Sequence, residues 1–402
     1  MPCDPSELAV LIVCYNGRRF LPDCLATLFA SPDAPPSQQV IIVDNASTDD
    51  SLLWLQREDA GRRDAEGLPN KSVGRGNEAG AATGRPVAEG NPSPGGTPDA
   101  ADAPKSGITV LLSAANLGFA GGNNLGFREI RSRFPHVKYV ALLNQDTCVA
   151  PGWLAALTRV LQETPDAAAA QAKLMLYPQI TRFNSAGNWS HFLGFGFVTA
   201  FNEFNTGQFD RVRDLDFPSG AAMMIRVADI AGDEDLFDPT FGSYLEDAEL
   251  GWRLRLRGRR ILFAPASVVY HKYAFAQNPG FYENLERNRW FLLLACYRLR
   301  TLLVLLPAMI LMEGGLLLFF AAKGMLGVKL RAMSSIFDPK WRGHLTARRR
   351  TIQSSRTLSD RELVARFGAR IDFPHIRNPL LNVVGNPLLQ VYWYFARRLI
   401  FW

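Results

Sequence analysis

Tyr139-Val-Ala-Leu-Leu-Asn-Gln-Asp-Thr147 is an apolar run that stops abruptly in Asn144, Gln145 and Asp146, and Pro151 and Trp153 open a helix-like segment behind it. A run this short, bounded by turn residues, has the pattern of a strand buried on both faces of a parallel sheet. Ligands of open α/β sheets sit beyond the carboxyl ends of the strands. The sequence therefore delivers the Asp146 carboxylate to the mouth of a crevice, where an anion suits a hard cation and the phosphates it holds. An isolated Asp here has a simpler role, capping the helix that follows. The rest of the chain decides between the two.

Upstream, Leu8-Ala-Val-Leu-Ile-Val-Cys14 reads as a first strand ending at Tyr15-Asn16-Gly17, and Val40-Ile-Ile-Val43 as a second ending at Asp44-Asn45. Between them Phe20, Leu21, Leu25, Leu28 and Phe29 recur with helical period. Ser47 or Thr48 is placed to cap a second helix carrying Leu52, Leu53 and Leu55. From about 57 to 107 large apolar residues nearly vanish, so this stretch is expected to be a flexible, low-complexity insertion. Ile108-Thr-Val-Leu-Leu112 resumes the sheet. The strand–helix alternation predicts an α/β, Rossmann-like, mostly parallel sheet.

Three polar strand ends, Tyr15-Asn16, Asp44-Asn45 and Asn144/Asp146, then converge on one edge. A carboxylate such as Asp44 can accept the imide N–H of a pyrimidine, and Tyr15 can pack on the base. Asn116-Leu-Gly-Phe-Ala-Gly-Gly-Asn-Asn124 opens a helix with small residues, which lets backbone N–H groups approach an anion. Its GxxGG spacing after the third strand is not the GxGxxG of dinucleotide oxidoreductases, and the chain has no GKS or GKT of a P-loop. Glu246-Asp247 begins another helix. Neighbouring carboxylates raise one another's pKa, which suits a general base, though first-turn acids also complement a helix dipole. His271 ends the second of two short apolar runs, 260–264 and 267–270.

The chain has 402 residues, 48% of them hydrophobic, enough for one large domain with appendages or for two. Five scattered cysteines without a CxxC argue against a disulfide framework or a zinc site. The N-terminus has no basic segment leading into an apolar one, so no secretory signal is expected. The net charge of +6 is modest and its basic residues concentrate after Arg298; no nucleic-acid partner is expected. Leu302 to Ala322 is almost wholly apolar over 21 residues, long enough to reach across a bilayer. Pro307, Glu313, Gly314 and Gly315 interrupt it and both flanks are basic, which fits a hairpin or interfacial attachment better than one crossing.

Taken in order, Ile12-Val-Cys-Tyr-Asn-Gly17, Val43-Asp-Asn-Ala-Ser-Thr-Asp49, the 116–124 segment, Leu143-Asn-Gln-Asp146, Ser219-Gly-Ala221, Glu246-Asp-Ala-Glu-Leu-Gly-Trp-Arg253 and Arg287-Asn-Arg289 resemble glycosyltransferase family 2, specifically its bacterial rhamnosyltransferase-like branch. The resemblance covers about residues 6 to 300 without the insertion. It implies a GT-A fold over 1–298, a helical membrane-associated region over 299–402, and inverting transfer from a nucleotide-diphosphate sugar. Asn144-Gln145-Asp146 stands where the family's DXD motif lies, with Asn144 in place of the first Asp. Asp146 and His271 are the implied ligands of Mg²⁺ or Mn²⁺, and Asp247 is the implied base for the acceptor hydroxyl, with Glu246 beside it as the other catalytic residue. Tyr15, Asn16, Asp44, Asn45, Asn116, Gly121, Asn123, Asn144, Gln145, Ser219, Gly220 and Arg253 are the implied donor-binding set.

The partners expected on this reading are a dTDP- or UDP-linked sugar, a lipid-linked or glycan acceptor, and the cytoplasmic membrane surface. Two other readings stay open: a processive sugar polymerase, and an inactive, membrane-tethered sugar-nucleotide-binding module.

Overall fold

A computed structural model describes residues 4–65, 107–230, 232–233, 235–273, 278–372 and 379–402. Its first half alternates β1 (Leu8–Cys14), α1 (Leu21–Ala30), β2 (Val40–Asp44), α2 (Ser51–Ala65), β3 (Thr109–Leu112), α3 (Gly118–Arg133) and β4 (Tyr139–Leu143). β1 lies between β2 and β4, with β3 beyond β2, all parallel. Cys14 pairs with Asp44 at the carboxyl ends of β1 and β2, so the polar residues after these strands emerge on one edge. Within β1, Leu8, Val10 and Ile12 join one apolar cluster while Ala9 and Leu11 join the other. Both faces of the sheet are covered, and the unbroken apolar run is the sequence trace of that.

The second half adds β5 (Thr147–Val149), α4 (Trp153–Glu163), β6 (Ala167–Leu176), β7 (Phe183–Ser185), β8 (Asn188–Ser190), β9 (Gly196–Val198), β10 (Arg213–Asp214), β11 (Ala222–Arg226), α5 (Glu246–Leu256), β12 (Arg260–His271) and α6 (Pro279–Cys296). The main sheet runs β10-β12-β6-β11-β4-β1-β2-β3, with β5 and β7 on its side and β8–β9 as a separate pair. β11 is antiparallel to both β4 and β6, so β6 and β12 run with β1 to β4. The expected mostly parallel α/β sheet is present. The two apolar runs at 260–264 and 267–270 are one strand, bent by a register shift between Ala264 and Val268.

Two local expectations need correction. α2 continues to Ala65, so residues 57–65 belong to a helix; the remainder of the expected insertion, 66–106, lies outside the described residues. Ser47 and Thr48 do not cap α2. Ser47 Oγ accepts the Asn16 N–H and the Thr48 N–H goes to Asn16 Oδ1, while Asp49 Oδ1 takes the Ser51 N–H at the helix start.

The chain ends in α7 (Leu299–Ala322), α8 (Leu326–Ser334), α9 (Pro339–Ser355), α10 (Asp360–Val364) and α11 (Asn386–Leu399). Leu305, Trp341, Ile352, Leu363 and Trp393 from these helices share one apolar core with Trp252 of α5 and Phe291 of α6. Their cohesion with the sheet domain is therefore that of a common core.

Candidate active site

The loops beyond β1, β2 and β4 are fastened to one another. Gln145 Oε1 accepts the Tyr15 N–H at 3.1 Å while its Nε2 donates to Tyr15 O at 3.1 Å. Gly17 permits this: a Cβ there would lie 2.0 Å from Gln145 Oε1. Asn16, at φ 49°, accepts the Thr48 N–H with Oδ1 at 2.7 Å. Asn45 accepts the Leu117 N–H and donates to Asn116 Oδ1 and Gly118 O. Asn16, Asn45, Asn116 and Gln145 thus shape the rim with side chains committed to backbone and to one another.

Asp44 differs. It is 3% exposed; its Oδ1 accepts the Ser47 N–H, but its Oδ2 is buried without a hydrogen-bond donor among the described residues. A buried unpaired acceptor costs about 1–3 kcal/mol, which a ligand N–H would recover. Tyr15, 42% exposed, stands at the neighbouring strand end.

The helix start at Gly118 is not an anion cradle. Gly118 N–H goes to Asn116 Oδ1, Phe119 N–H to Ser243 Oγ at 3.2 Å, and Ala120 N–H to Gly242 O at 2.8 Å. The glycines serve packing. A Cβ on Gly122 would lie 2.7 Å from Val13 Cγ1, on Gly126 2.2 Å from Leu11 Cδ1, and on Gly118 2.5 Å from Gly242 O. Gly121 sits against Leu117, and Asn123 is buried with its amide on Phe119 O. Arg253 is also interior: fully buried, its guanidinium reaches Glu249, Asp233 and Leu236 O.

A cavity of about 590 Å³ opens beyond the sheet, lined by Asn144, Ser219, Gly220, Glu246, Asp247 and His271 among others. Asp247 is delivered by a strained turn, with Tyr244 at φ 75° and Leu245 at φ 65° immediately before α5. Non-glycine residues in the left-handed region persist where their surroundings hold them. Here Asn288 Nδ2 donates to the carbonyls of Phe241, Ser243 and Tyr244 at 2.9, 3.1 and 2.8 Å, and Arg287 donates to Thr240 O and Phe241 O. Arg287 and Asn288 thus brace the turn.

Asp247 Oδ2 accepts the Gly220 N–H at 3.3 Å and Oδ1 the Ala248 N–H at 2.8 Å. Burial nonetheless pushes its carboxyl up to about 6, overriding those N–H contacts. Glu246 is pushed up well above the usual carboxylate range, by burial first and by the Asp247 charge second. Its Oε2 is buried without a partner among the described residues. Both carboxyls are pushed up, and Asp247, at about 6, is ionised near neutrality. That is the state of a general base.

Across the cavity, antiparallel pairing of β5 with β12 sets Thr147 opposite His271 and so brings Asp146 to the ring. His271 Nε2 lies 3.3 Å from Asp146 Oδ1, and its Nδ1 donates to Asn184 Oδ1 at 3.0 Å. With the proton on Nδ1, a lone pair at Nε2 faces a carboxylate oxygen, an arrangement completed by a cation between them. Among the described residues no third His, Cys, Asp or Glu makes a three-ligand cluster. Two protein ligands, leaving positions for phosphate oxygens and water, fit Mg²⁺ or Mn²⁺ better than a closed structural site.

Residues the sequence did not single out complete the site: Asn184, which orients His271, Asn188, Tyr244 and Tyr273, and Leu316, Phe319 and Phe320 from α7. The 184–189 stretch, small polar residues inside an aromatic-rich half, carried the only local signal for the first two.

No curated protein matches the sequence. Among solved structures, GalNAc-T7 with UDP, GalNAc and Mn²⁺ aligns at TM-score 0.48 and 12% identity over 72% of this chain and 47% of that one, so the chain spans about half the length of that relative. S. aureus TarS 1-349 with UDP-GlcNAc aligns at 0.44 and 12%, over 97% and 88%. The mannosyltransferase PcManGT of Pyrobaculum calidifontis with GDP-Man and Mn²⁺ aligns at 0.41 and 16%, over 99% and 88%. Residues 96–292, the stretch that carries Asn144, Asp146, Asp247 and His271, match the family model Glycosyltransferase like family 2.

Proposed function

We propose that the chain is a metal-dependent, inverting glycosyltransferase of the rhamnosyltransferase-like branch. It moves rhamnose or a similar hexose from a dTDP- or UDP-linked donor to a lipid-linked or polysaccharide acceptor in cell-surface glycan synthesis, at the cytoplasmic face of the inner membrane. The observation that carries this reading is Asp247, raised to about 6 and lining the same cavity as His271, whose ring meets Asp146. In this account Asp44 and Tyr15 take the base, with the unpaired Asp44 Oδ2 accepting its imide N–H. Asp146 and His271 would hold Mg²⁺ or Mn²⁺, which supplies Lewis-acid neutralisation of the leaving nucleoside diphosphate. Asp247 Oδ2 takes the proton of the acceptor hydroxyl as its oxygen bonds to the anomeric carbon from the side opposite the diphosphate, and the C–O bond to the diphosphate breaks.

Incubating the protein and Mn²⁺ with a panel of dTDP-, UDP- and GDP-sugars tests the proposal. Consumption of at least one donor, abolished by chelation, is expected. No binding or consumption of any donor would overturn it.

A further inference from the structure

The cavity lining is of two kinds. Asn144, Ser219, Asp247 and His271 supply hydrogen-bonding groups, while Phe281, Tyr282 and Leu285 of α6 and Leu316, Phe319 and Phe320 of α7 supply an apolar wall. Glu286, which α6 adds to the lining, is already held by Arg289 and Lys329. A glycan placed against that wall would leave hydroxyls without partners, at a cost a hydrocarbon does not carry.

α7 has two faces. At about 3.6 residues per turn, Leu316, Phe319 and Phe320 fall on the side opposite Leu303, Ile310, Leu311 and Leu318. The latter four are 61%, 64%, 62% and 75% exposed. On α11, Leu388, Val391, Phe395 and Leu399 are exposed at spacings of three and four, and Tyr392 of that helix donates to Val304 O of α7. The two helices together present a broad apolar surface. It holds no exposed carboxylate: the one acid of α7, Glu313, turns inward to Arg289 and Lys329, and α11 has none. Exposed Arg300, Lys323, Arg397 and Arg398 border it. Contacts of Thr301 with Asp360, Val304 with Tyr392, and Glu313 with Arg289 and Lys329 tie α7 along its length to the rest of the protein.

We infer that the α6–α7 wall of the cavity forms a subsite for the hydrocarbon chain of an amphiphilic acceptor, and that α7 separates this subsite from an anionic bilayer on which the α7–α11 face rests. The inference deepens the transferase reading and rests on it. Apolar burial with a basic border matches an interfacial helix on anionic lipid. The acceptor's polar group then reaches Asp247 while its chain stays beside the membrane that supplies it.

Two measurements on the full chain test this. The first is flotation with phosphatidylcholine vesicles, with and without phosphatidylglycerol. Co-flotation is expected with the anionic vesicles, and a loss of at least about fivefold in Leu303→Glu/Ile310→Glu, whose side chains lie outside the cavity. The second is calorimetric titration with n-alkyl glucosides from methyl to octyl, below micellar concentration. Affinity should rise with chain length, by up to about fourfold per methylene, and the rise should flatten in Phe319→Gln. Equal affinity for methyl and octyl glucoside in the wild type overturns the subsite. Self-association through the α7–α11 face without vesicle binding overturns the bilayer as its partner. Donor consumption, measured alongside, separates the outcomes: donor turnover with no chain-length dependence removes this inference and leaves the transferase reading standing.

Discussion

His271 Nε2 and Asp146 Oδ1 lie 3.3 Å apart although 125 positions separate them in the chain, and Asn184 holds the other ring nitrogen at 3.0 Å. The Asn184 contact fixes which nitrogen keeps its lone pair. Partners of this kind tune ligand basicity, and their loss typically weakens metal binding about 10–100-fold. Asn184→Leu is therefore expected to weaken Mn²⁺ affinity by that factor in the presence of a nucleoside diphosphate, read by electron paramagnetic resonance of free Mn²⁺. Unchanged affinity would remove Asn184 from the site.

The raised pKa of Asp247 sets the pH dependence. A base must be ionised to accept a proton, so kcat/KM should fall as pH drops through about 6. A rate profile flat from pH 7 to 5 would contradict the role, as would an acid limb that persists unchanged in Asp247→Asn.

Gly118 combines φ +71° with a missing Cβ that would lie 2.5 Å from Gly242 O. Gly118→Ala should cost about 1–3 kcal/mol in denaturant unfolding and displace the turn that carries Asp247, lowering turnover as well. Gly61→Ala is the contrasting case: its added Cβ meets nothing within 4 Å in α2, so stability should rise by up to about 1 kcal/mol.

Lys329 is fully buried between Glu286 and Glu313. Lys329→Met leaves buried Glu286 and half-buried Glu313 to share Arg289 and should destabilise the fold by about 3 kcal/mol or more. A midpoint shift worth less than about 1 kcal/mol would show that the network relaxes or draws in water.

The ends of β1, β2 and β4 were legible in the sequence because strands buried on both faces write themselves as apolar runs, and their polar terminations mark the edge. Asp247 was legible as a carboxylate pair at a helix start. The approach of His271 to Asp146 was not readable from local pattern. It depends on β5, a strand of three residues, pairing with the far end of β12. The 116–124 glycines misled for a physical reason: small residues at a helix start serve an anion or a neighbouring backbone equally well, and here Gly242 takes the place. Arg253 carries a charge in a helix that the sequence places near the site, but Glu249 one turn earlier and Asp233 draw it into the core. α7 was visible as an apolar helix, while the inward face that closes the cavity required its packing on α6.

The central claim is that Asp247 acts as the base that deprotonates the acceptor hydroxyl attacking a bound sugar donor, and the most direct measurement pairs two readouts on Asp247→Asn: donor affinity by titration and transfer rate at saturating donor. A base contributes chiefly in the transition state, so donor affinity should stay within about threefold of wild type while turnover falls about 10²–10⁴-fold. A variant that keeps more than about a tenth of wild-type turnover at the same donor affinity would contradict the account.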